Sequence, residues 1–224
     1  MSSYLWLNIL VIFIPFLGSF ERRVSYHQKW KHVFKAIFLT LIPFIIWDIL
    51  FTRMGIWHFN PEYVGPFSLL GLPVSEWLFF ITVPYSCLYI YEWVKYFRRD
   101  RAQIYGMPDR IFLSILCGAT LLVAIFFYNK SYTLVVFGGL AYFLIFLIVN
   151  KPFFIRNFWI AFIISMIPFF IVNGYLTAKP VVTYNSHEFI GLRLITIPME
   201  DTFYSLLLLL MNTFFYEQSL SREL

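Results

Sequence analysis

The sequence predicts an all-α, polytopic membrane protein with seven transmembrane helices, arranged as two parallel three-helix repeats joined by a linker helix (3+1+3). Three observations predict it. Of the 224 residues, 60% are hydrophobic and only 13% charged, about half the charged share of a soluble domain. Uncharged runs of about 18 residues recur, which is long enough to cross a bilayer as a helix. The second half of the chain also repeats the first at a fixed offset.

Seven apolar segments account for the predicted helices, near residues 4–20, 33–51, 76–96, 111–128, 132–149, 158–176 and 200–217. The first begins without a basic n-region and has no small-residue cleavage site after Phe20, so we expect a retained helix rather than a removed signal peptide. Cys87 and Cys117 fall inside predicted spans. They therefore predict small buried thiols rather than a disulfide framework.

Basic residues orient the predicted helices. The connections after the first, third and fifth segments, with the C-terminal tail, hold Arg22, Arg23, Lys29, Lys31, Arg98, Arg99, Arg101, Arg110, Lys151, Arg156 and Arg222. The opposite side holds only Arg53, Lys130, Lys179 and Arg193. Basic loops stay cytoplasmic, so we expect the N-terminus outside and the C-terminus in the cytoplasm. The basic residues behind the net charge of +5 lie in short clusters between apolar segments and orient the helices. We therefore expect no nucleic-acid partner.

An internal repeat at an offset of 125 residues organises the chain. It relates Pro43 to Pro168, Asp48 to Asn173, Asn60 to Asn185, Pro73 to Pro198, Glu76 to Asp201, Tyr91 to Tyr216 and Glu92 to Glu217. One ungapped offset indicates duplication, and divides a single membrane domain (1–224) into repeat 1 (1–97), a linker helix (98–128) and repeat 2 (129–224). One helix between two odd-numbered units predicts parallel copies about an axis along the membrane normal, with a shared cavity.

Acidic residues within the spans are the candidate catalytic groups, because ionisable side chains in a membrane are costly and indicate function. They are Asp48, Glu76, Glu200 and Asp201, all near the outer ends of their helices. Glu76 follows Pro73 by three residues and Asp201 follows Pro198 by three, so both could simply be N-terminal caps. The same placement in both repeats favours chemistry over capping.

Further candidates surround these acids. A second set comprises Asn60, Asn173, Asn185, Glu92 and Glu217. Glu92 and Glu217 are at the cytoplasmic end, where the alternative is an interfacial residue or an ion-pair partner of Lys95 or Arg98. Aromatic faces stabilise cations, so substrate contacts are expected from Trp47, Trp77, Phe79, Phe80, Phe203 and Tyr204. In a chain that is 22% aromatic, ordinary packing remains the alternative.

Several cofactor motifs are missing from the sequence. It has no GxGxxG fingerprint for dinucleotides and no GxxxxGK[ST] loop for phosphates. It also lacks a DDxxD pair for magnesium diphosphate, and its seventh segment has no lysine for a retinal Schiff base. His58 and His187 lack metal-ligand spacing. We therefore expect no cofactor and no metal.

Two motifs carry a resemblance to a known family. Repeat 1 contains the stretch Gly55-Ile56-Trp57-His58-Phe59-Asn60-Pro61-Glu62-Tyr63, then Pro73-Val74-Ser75-Glu76, then Tyr91-Glu92; repeat 2 contains Pro198-Met199-Glu200-Asp201. Over nearly its whole length the chain resembles the small integral-membrane lycopene cyclases, which include the bacterial heterodimeric carotenoid cyclases and the cyclase half of a fungal bifunctional enzyme. Their pattern is P-x-E-E in each half. Ser75 departs from it.

The resemblance implies a single-chain lycopene cyclase of a bacterial cell membrane. It implies redox-neutral acid/base cyclisation of the acyclic ends of lycopene to ionone rings, giving β-carotene by way of γ-carotene. Glu76, Glu200 and Asp201 match the family's acids, with Asp48 as an orienting group. The implied partners are lycopene, related acyclic carotenoids and the bilayer; self-association and contact with other carotenoid-pathway enzymes stay open. Two alternatives also remain, a small 3+1+3 transporter and a noncatalytic carotenoid-binding protein.

Overall fold

The computed structural model describes residues 2–99 and 105–222, which form eight α-helices, one 3-10 turn and six short strands. The helices are α1 (Ser3–Gly18), α2 (Trp30–Arg53), α3 (Pro61–Val64), α4 (Val74–Phe97), α5 (Met107–Phe126), α6 (Ser131–Asn150), α7 (Ile155–Ala178) and α8 (Met199–Ser221). The strands are β1 (Trp57–Phe59), β2 (Ser68–Leu69), β3 (Leu72–Pro73), β4 (Val182–Tyr184), β5 (Arg193–Leu194) and β6 (Ile197–Pro198). Arg101, counted above among the basic residues, lies outside the described residues.

The seven long helices coincide with the seven apolar segments, and most extend beyond them by one to four residues. Within the described ranges, four helical stretches are long and apolar enough to cross a membrane: Tyr26–Arg53, Met107–Phe126, Ser131–Asn150 and Ile155–Ala178. Helix α1 is apolar but shorter, with 16 residues. Helices α4 and α8 have 24 and 23 residues, and both contain buried carboxyl groups that lower their apolar character.

The strands were not predicted from the sequence. They form three antiparallel pairs at the end of the bundle where α4 and α8 begin, which we call the hairpin end. Ser68 pairs with Pro73 in one hairpin and Arg193 with Pro198 in the other, again 125 residues apart. Leu70 and Ile195 occupy the equivalent turn position with φ of 55° and 63°, a left-handed conformation that is unusual for a β-branched residue such as Ile195. The duplication therefore preserves even a strained turn.

The third strand pair joins the two halves of the chain. Strand β1 pairs with its own equivalent β4, and His58 lies opposite Thr183, the residue 125 positions later. The flanking bonds are also matched, since Asn60 N–H donates to the Val181 carbonyl and Asn185 N–H to the Ile56 carbonyl. Antiparallel pairing centred on equivalent residues is the arrangement that a two-fold axis produces.

The long helices of the two halves exchange partners. Helix α2 packs on α8 and α7 packs on α4, so the second long helix of each half contacts the third of the other. Within each half, α1 packs on α4 and α6 on α8, while α5 packs on α6. The largest apolar core cluster extends through both halves, so close packing of side chains holds the two units together.

Candidate active site

A cavity of about 490 Å³ lies between α1, α4, α7 and α8. Most of its wall is apolar, with Leu7, Val83, Phe169 and Leu208 among the lining residues. Three carboxyl groups also line it, namely Asp48, Glu76 and Asp201. The structure therefore brings three of the four predicted acids to one apolar cavity, at its hairpin end.

Glu76 lies in the first turn of α4 and is 7% exposed. Its Oε2 accepts a hydrogen bond of 2.6 Å from the hydroxyl of Tyr4 on α1. The N-cap residue of α4 is Pro73, which has no N–H for a carboxylate three residues later to accept. A capping box is therefore chemically impossible here, and the same holds at Pro198 and Asp201.

Asp201 lies at the equivalent position of α8 and accepts three hydrogen bonds. Oδ1 accepts from the Tyr132 hydroxyl at 2.6 Å. Oδ2 accepts from the Tyr184 hydroxyl at 2.8 Å and from Asn173 Nδ2 at 2.9 Å. In strand β4, burial and then the neighbouring Asp201 carboxyl hold the pKa of Tyr184 well above its ordinary value, so this phenol stays a neutral donor.

Asp48 completes the acidic end of the cavity from α2. It is 2% exposed, and its Oδ2 has no hydrogen-bond partner among the described residues. It interacts electrostatically with Glu76, and the indole of Trp57 lies beside it. Two carboxyl groups in one apolar site disfavour each other's ionisation, so a protonated carboxyl group is favoured there.

Glu200 differs from the other predicted acids in what it contacts. It is fully buried, and its Oε1 accepts from the Thr133 hydroxyl on α6 at 2.6 Å and from the Ile190 backbone N–H at 2.8 Å. It thus faces α6 and the loop before β5 rather than the cavity lining. The expectation that Glu76, Glu200 and Asp201 converge on one cavity does not hold for Glu200, because adjacent helical residues point about 100° apart.

The predicted aromatic contacts divide in two. Phe79 and Tyr204 line the cavity, and Trp47 packs against Tyr204 with ring centroids 4.8 Å apart and an interplanar angle of 60°. The other three pack elsewhere: Trp77 donates to the Leu69 carbonyl, Phe80 packs on Phe44, and Phe203 packs on Phe137. Sequence proximity to an acid does not select a cavity-facing ring, because side chains one residue apart lie on different helix faces.

The second set of candidates lies mostly away from the cavity. Asn173 is the exception, since it contacts Asp201. Asn60 caps the short helix α3 by accepting from the Glu62 N–H, and Asn185 accepts from the His187 N–H in a turn. Both stabilise loop geometry, as Asn commonly does.

Glu92 and Glu217 meet at the end of the bundle opposite the hairpins. Lys95 Nζ is 3.2 Å from Glu92 and 2.7 Å from Glu217, and Lys29 Nζ also contacts Glu92. The Tyr91 hydroxyl donates to Glu217 at 2.7 Å. The ion-pair alternative with Lys95 therefore describes these two glutamates, and the cluster joins α4 to α8.

The cavity is open on one side. Leu10 and Ile14 of α1 and Ile171 of α7 line it, yet they are 64%, 73% and 68% exposed. Exposed lining residues on two facing helices mark an opening between those helices. The apolar side chains at this opening suit contact with the hydrocarbon core of a bilayer rather than with water.

Sequence reasoning missed the tyrosines that hold the acids. Tyr4, Tyr132 and Tyr184 lie 17 to 72 residues from the carboxylates they contact. A signal existed for two of them: Tyr4 and Tyr132 are equivalent when the first helices are aligned at an offset of 128 rather than 125. Aligning each helix pair separately would have found them.

In the parts of the chain that the structure describes, no group of three or more His, Cys, Asp or Glu side chains is arranged to hold a metal ion.

What the fold and site define is a helical membrane protein with an apolar, laterally open cavity that contains buried carboxyl groups. The chain matches the family model described as Lycopene cyclase over residues 1–94 and 129–218. Since this covers most of the chain, the protein belongs to the lycopene cyclase family. The match omits the segment containing α5. No curated protein and no solved structure matches the chain.

Proposed function

We propose that this protein converts the acyclic ends of lycopene to ionone rings, giving β-carotene by way of γ-carotene. The observation that carries the proposal is the apolar cavity whose hairpin end contains Asp48, Glu76 and Asp201. A hydrocarbon end group needs an apolar cavity. Its cyclisation also needs an acid and a base that both reach this end group. Membership of the lycopene cyclase family supports the same substrate class.

The chemistry is an isomerisation and balances without a co-reactant. A carboxylic acid protonates the terminal double bond, and the O–H bond breaks as a C–H bond forms. The neighbouring double bond attacks the resulting tertiary cation, which forms the ring C–C bond. A carboxylate then removes a ring proton, and that electron pair becomes the ring double bond. One proton is gained and one is lost, so no oxidant or reductant enters.

The aromatic wall suits the cationic step. Tyr204, Trp57 and Phe79 line the same cavity as the carboxyl groups, and π faces stabilise a passing cation by about 0.5 to 2 kcal/mol each. Glu200, which contacts Thr133 and the loop at Ile190, acts in this account by fixing the start of α8. Its role is therefore positional rather than direct.

The proposal includes a seven-span topology, with repeat 1 (1–97) and repeat 2 (129–224) parallel to each other and a linker (98–128) between them. The exchange of helix partners and the pairing of β1 with β4 support it. The hairpin end, with the N-terminus, is placed outside and the C-terminus in the cytoplasm of a bacterial cell. In intact cells, a membrane-impermeant thiol reagent should label Lys179→Cys but not Lys151→Cys. Labelling of Lys151→Cys alone would reverse the orientation.

Expression in a lycopene-accumulating host tests the function. We expect ring-containing pigment with the native chain. With Glu76→Gln, the yield should fall by about a hundredfold or more, the contribution of general acid catalysis. Glu62→Gln, an exposed acid in α3, is the matched control and should leave the yield unchanged. Unchanged lycopene with a well-expressed native chain would favour a transporter or a noncatalytic carotenoid-binding protein.

A further inference from the structure

The two halves place equivalent residues around Glu76 and Asp201, but the equivalents differ in hydrogen-bonding capacity. Around Glu76 the positions hold Tyr4, Asp48 and Phe59. Around Asp201 the corresponding residues are Tyr132, Asn173 and Tyr184. Only the tyrosine on the first helix of each half is shared. Around Asp201, the amide of Asn173 stands where Glu76 has the carboxyl group of Asp48, and the phenol of Tyr184 stands where Glu76 has the phenyl ring of Phe59.

Both differences favour a charged Asp201. Its two oxygens accept hydrogen bonds of 2.6, 2.8 and 2.9 Å from three neutral donors. Donors aimed at both oxygens stabilise the ionised carboxylate over the protonated acid. A proton on either oxygen would displace one of these bonds.

Both differences also favour a proton near Glu76. Among the side chains that the structure describes, Glu76 accepts a hydrogen bond from Tyr4 alone. Asp48 replaces the amide donor with a second carboxyl group, whose Oδ2 is unpartnered among the residues that the structure describes. Phe59 contributes no donor where Tyr184 does. Two carboxyl groups in one apolar site disfavour each other's ionisation, so one of them retains a proton.

We propose that Tyr132, Tyr184 and Asn173 are positioning residues that hold Asp201 as the carboxylate base, and that the Glu76–Asp48 pair is the proton donor. The assignment rests on the proposed cyclisation and specifies which group donates the proton and which group accepts it. The pair loses its proton to the terminal alkene carbon, and Asp201 takes a proton from the ring. That proton returns to the pair through the shared cavity, or exchanges with water, before the next turnover.

The test uses purified full-length protein in liposomes containing lycopene, with D₂O as solvent. Mass spectrometry measures deuterium in recovered lycopene and in ring products. In Asp201→Asn the cation still forms but can only return a proton to Glu76, so ring products fall while deuterium accumulates in recovered lycopene. In Glu76→Gln, both deuterium uptake and ring products should be lost.

The near-isosteric variant Tyr184→Phe is expected to fold, because Phe already occupies the equivalent position 59 in the other half. It should raise the ratio of deuterated lycopene to ring product severalfold. Tyr63→Phe, a half-buried tyrosine near the same end, should leave the ratio at the native value. A purely structural role for Tyr184 would lower both signals together.

Three outcomes bear on the assignment. The expected pattern supports it. Deuterium uptake that survives in Glu76→Gln and disappears in Asp201→Asn overturns it, and so does an unchanged ratio in Tyr184→Phe. Absence of rings from the native protein would instead refute the proposed function, so the two failures are distinguishable.

Discussion

At the residue scale, the donors around a carboxyl group distinguish positions that look alike in the sequence. Glu200 and Asp201 are neighbours in one motif, yet Asp201 lines the cavity and Glu200 binds Thr133 and the Ile190 N–H. Both hydrogen bonds to Glu200 end on Oε1, and Oε2 has no partner within the described part of the chain. An amide oxygen could accept the same two bonds.

We therefore predict that Glu200→Gln retains activity within about fivefold of native, the rate equivalent of about 1 kcal/mol. Asp201→Asn should lose about a hundredfold or more, because it removes a titrating group rather than an acceptor. Ring yield from lycopene in membranes with matched protein amounts measures both. Equal losses in the two variants would place Glu200 in the chemistry with Asp201.

At the element scale, α4 and α8 carry a site at one end and an ion cluster at the other. The cluster holds two nearly buried carboxylates, Glu92 and Glu217, whose side chains are 2% and 6% exposed. Lys95, 24% exposed, bridges both. Removing Lys95 leaves Glu92 with Lys29 but takes the ammonium group away from Glu217. Loss of the cation beside a nearly buried carboxylate is more costly than loss of a surface pair.

We therefore expect Lys95→Met to lower the free energy of unfolding by up to about 3 kcal/mol. This is the lower end of the range for breaking a fully buried ion pair, because Lys95 is partly exposed. Thermal unfolding in detergent measures the change. Lys179→Met, an exposed lysine after α7, is the control and should unfold like the native chain. An unaltered unfolding temperature in Lys95→Met would mean that the cluster contributes little to stability.

The opening between α1 and α7 is also a property of elements. Ile171 lines the cavity and is 68% exposed, whereas Ile167, one turn earlier and 66% exposed, lies outside the lining. Ile171→Trp should slow conversion of membrane-borne lycopene by narrowing the opening, and Ile167→Trp should not. Conversion rates in lycopene-loaded liposomes give the comparison. Equal rates in both variants would place substrate access elsewhere.

At the scale of the whole molecule, the duplication is symmetric in its backbone and asymmetric in its cavity. The gap between α1 and α7 is open, but the equivalent gap between α6 and α2 is filled where Phe51 meets Tyr132, with ring centroids 6.2 Å apart. Phe51 belongs there to an apolar cluster with Val136 and Phe137. Under the proposed function, one open cavity accommodates one end of lycopene at a time, so we expect a monocyclic intermediate.

How much of this followed from the sequence depends on the range of the interactions. The long helices and the 125-residue repeat follow from local apolar runs and motif spacing. The strands are two or three residues long, too short to be recognised from an alternating pattern of apolar and polar residues. The partners of Asp201 come from α6, α7 and β4, and the sequence does not specify which distant side chains meet. The sequence did not predict that Glu200 lies away from the cavity lining, because its motif does not encode which face of α8 it occupies.

The most direct measurement of the central claim uses the purified protein in lycopene-containing liposomes, without flavin or nicotinamide. The account predicts that γ-carotene appears first and β-carotene follows, because one acid-lined cavity processes one end per visit. Asp201→Asn in the same liposomes should give no rings above background. Persistent lycopene with folded native protein would contradict the account, as would conversion that requires added flavin.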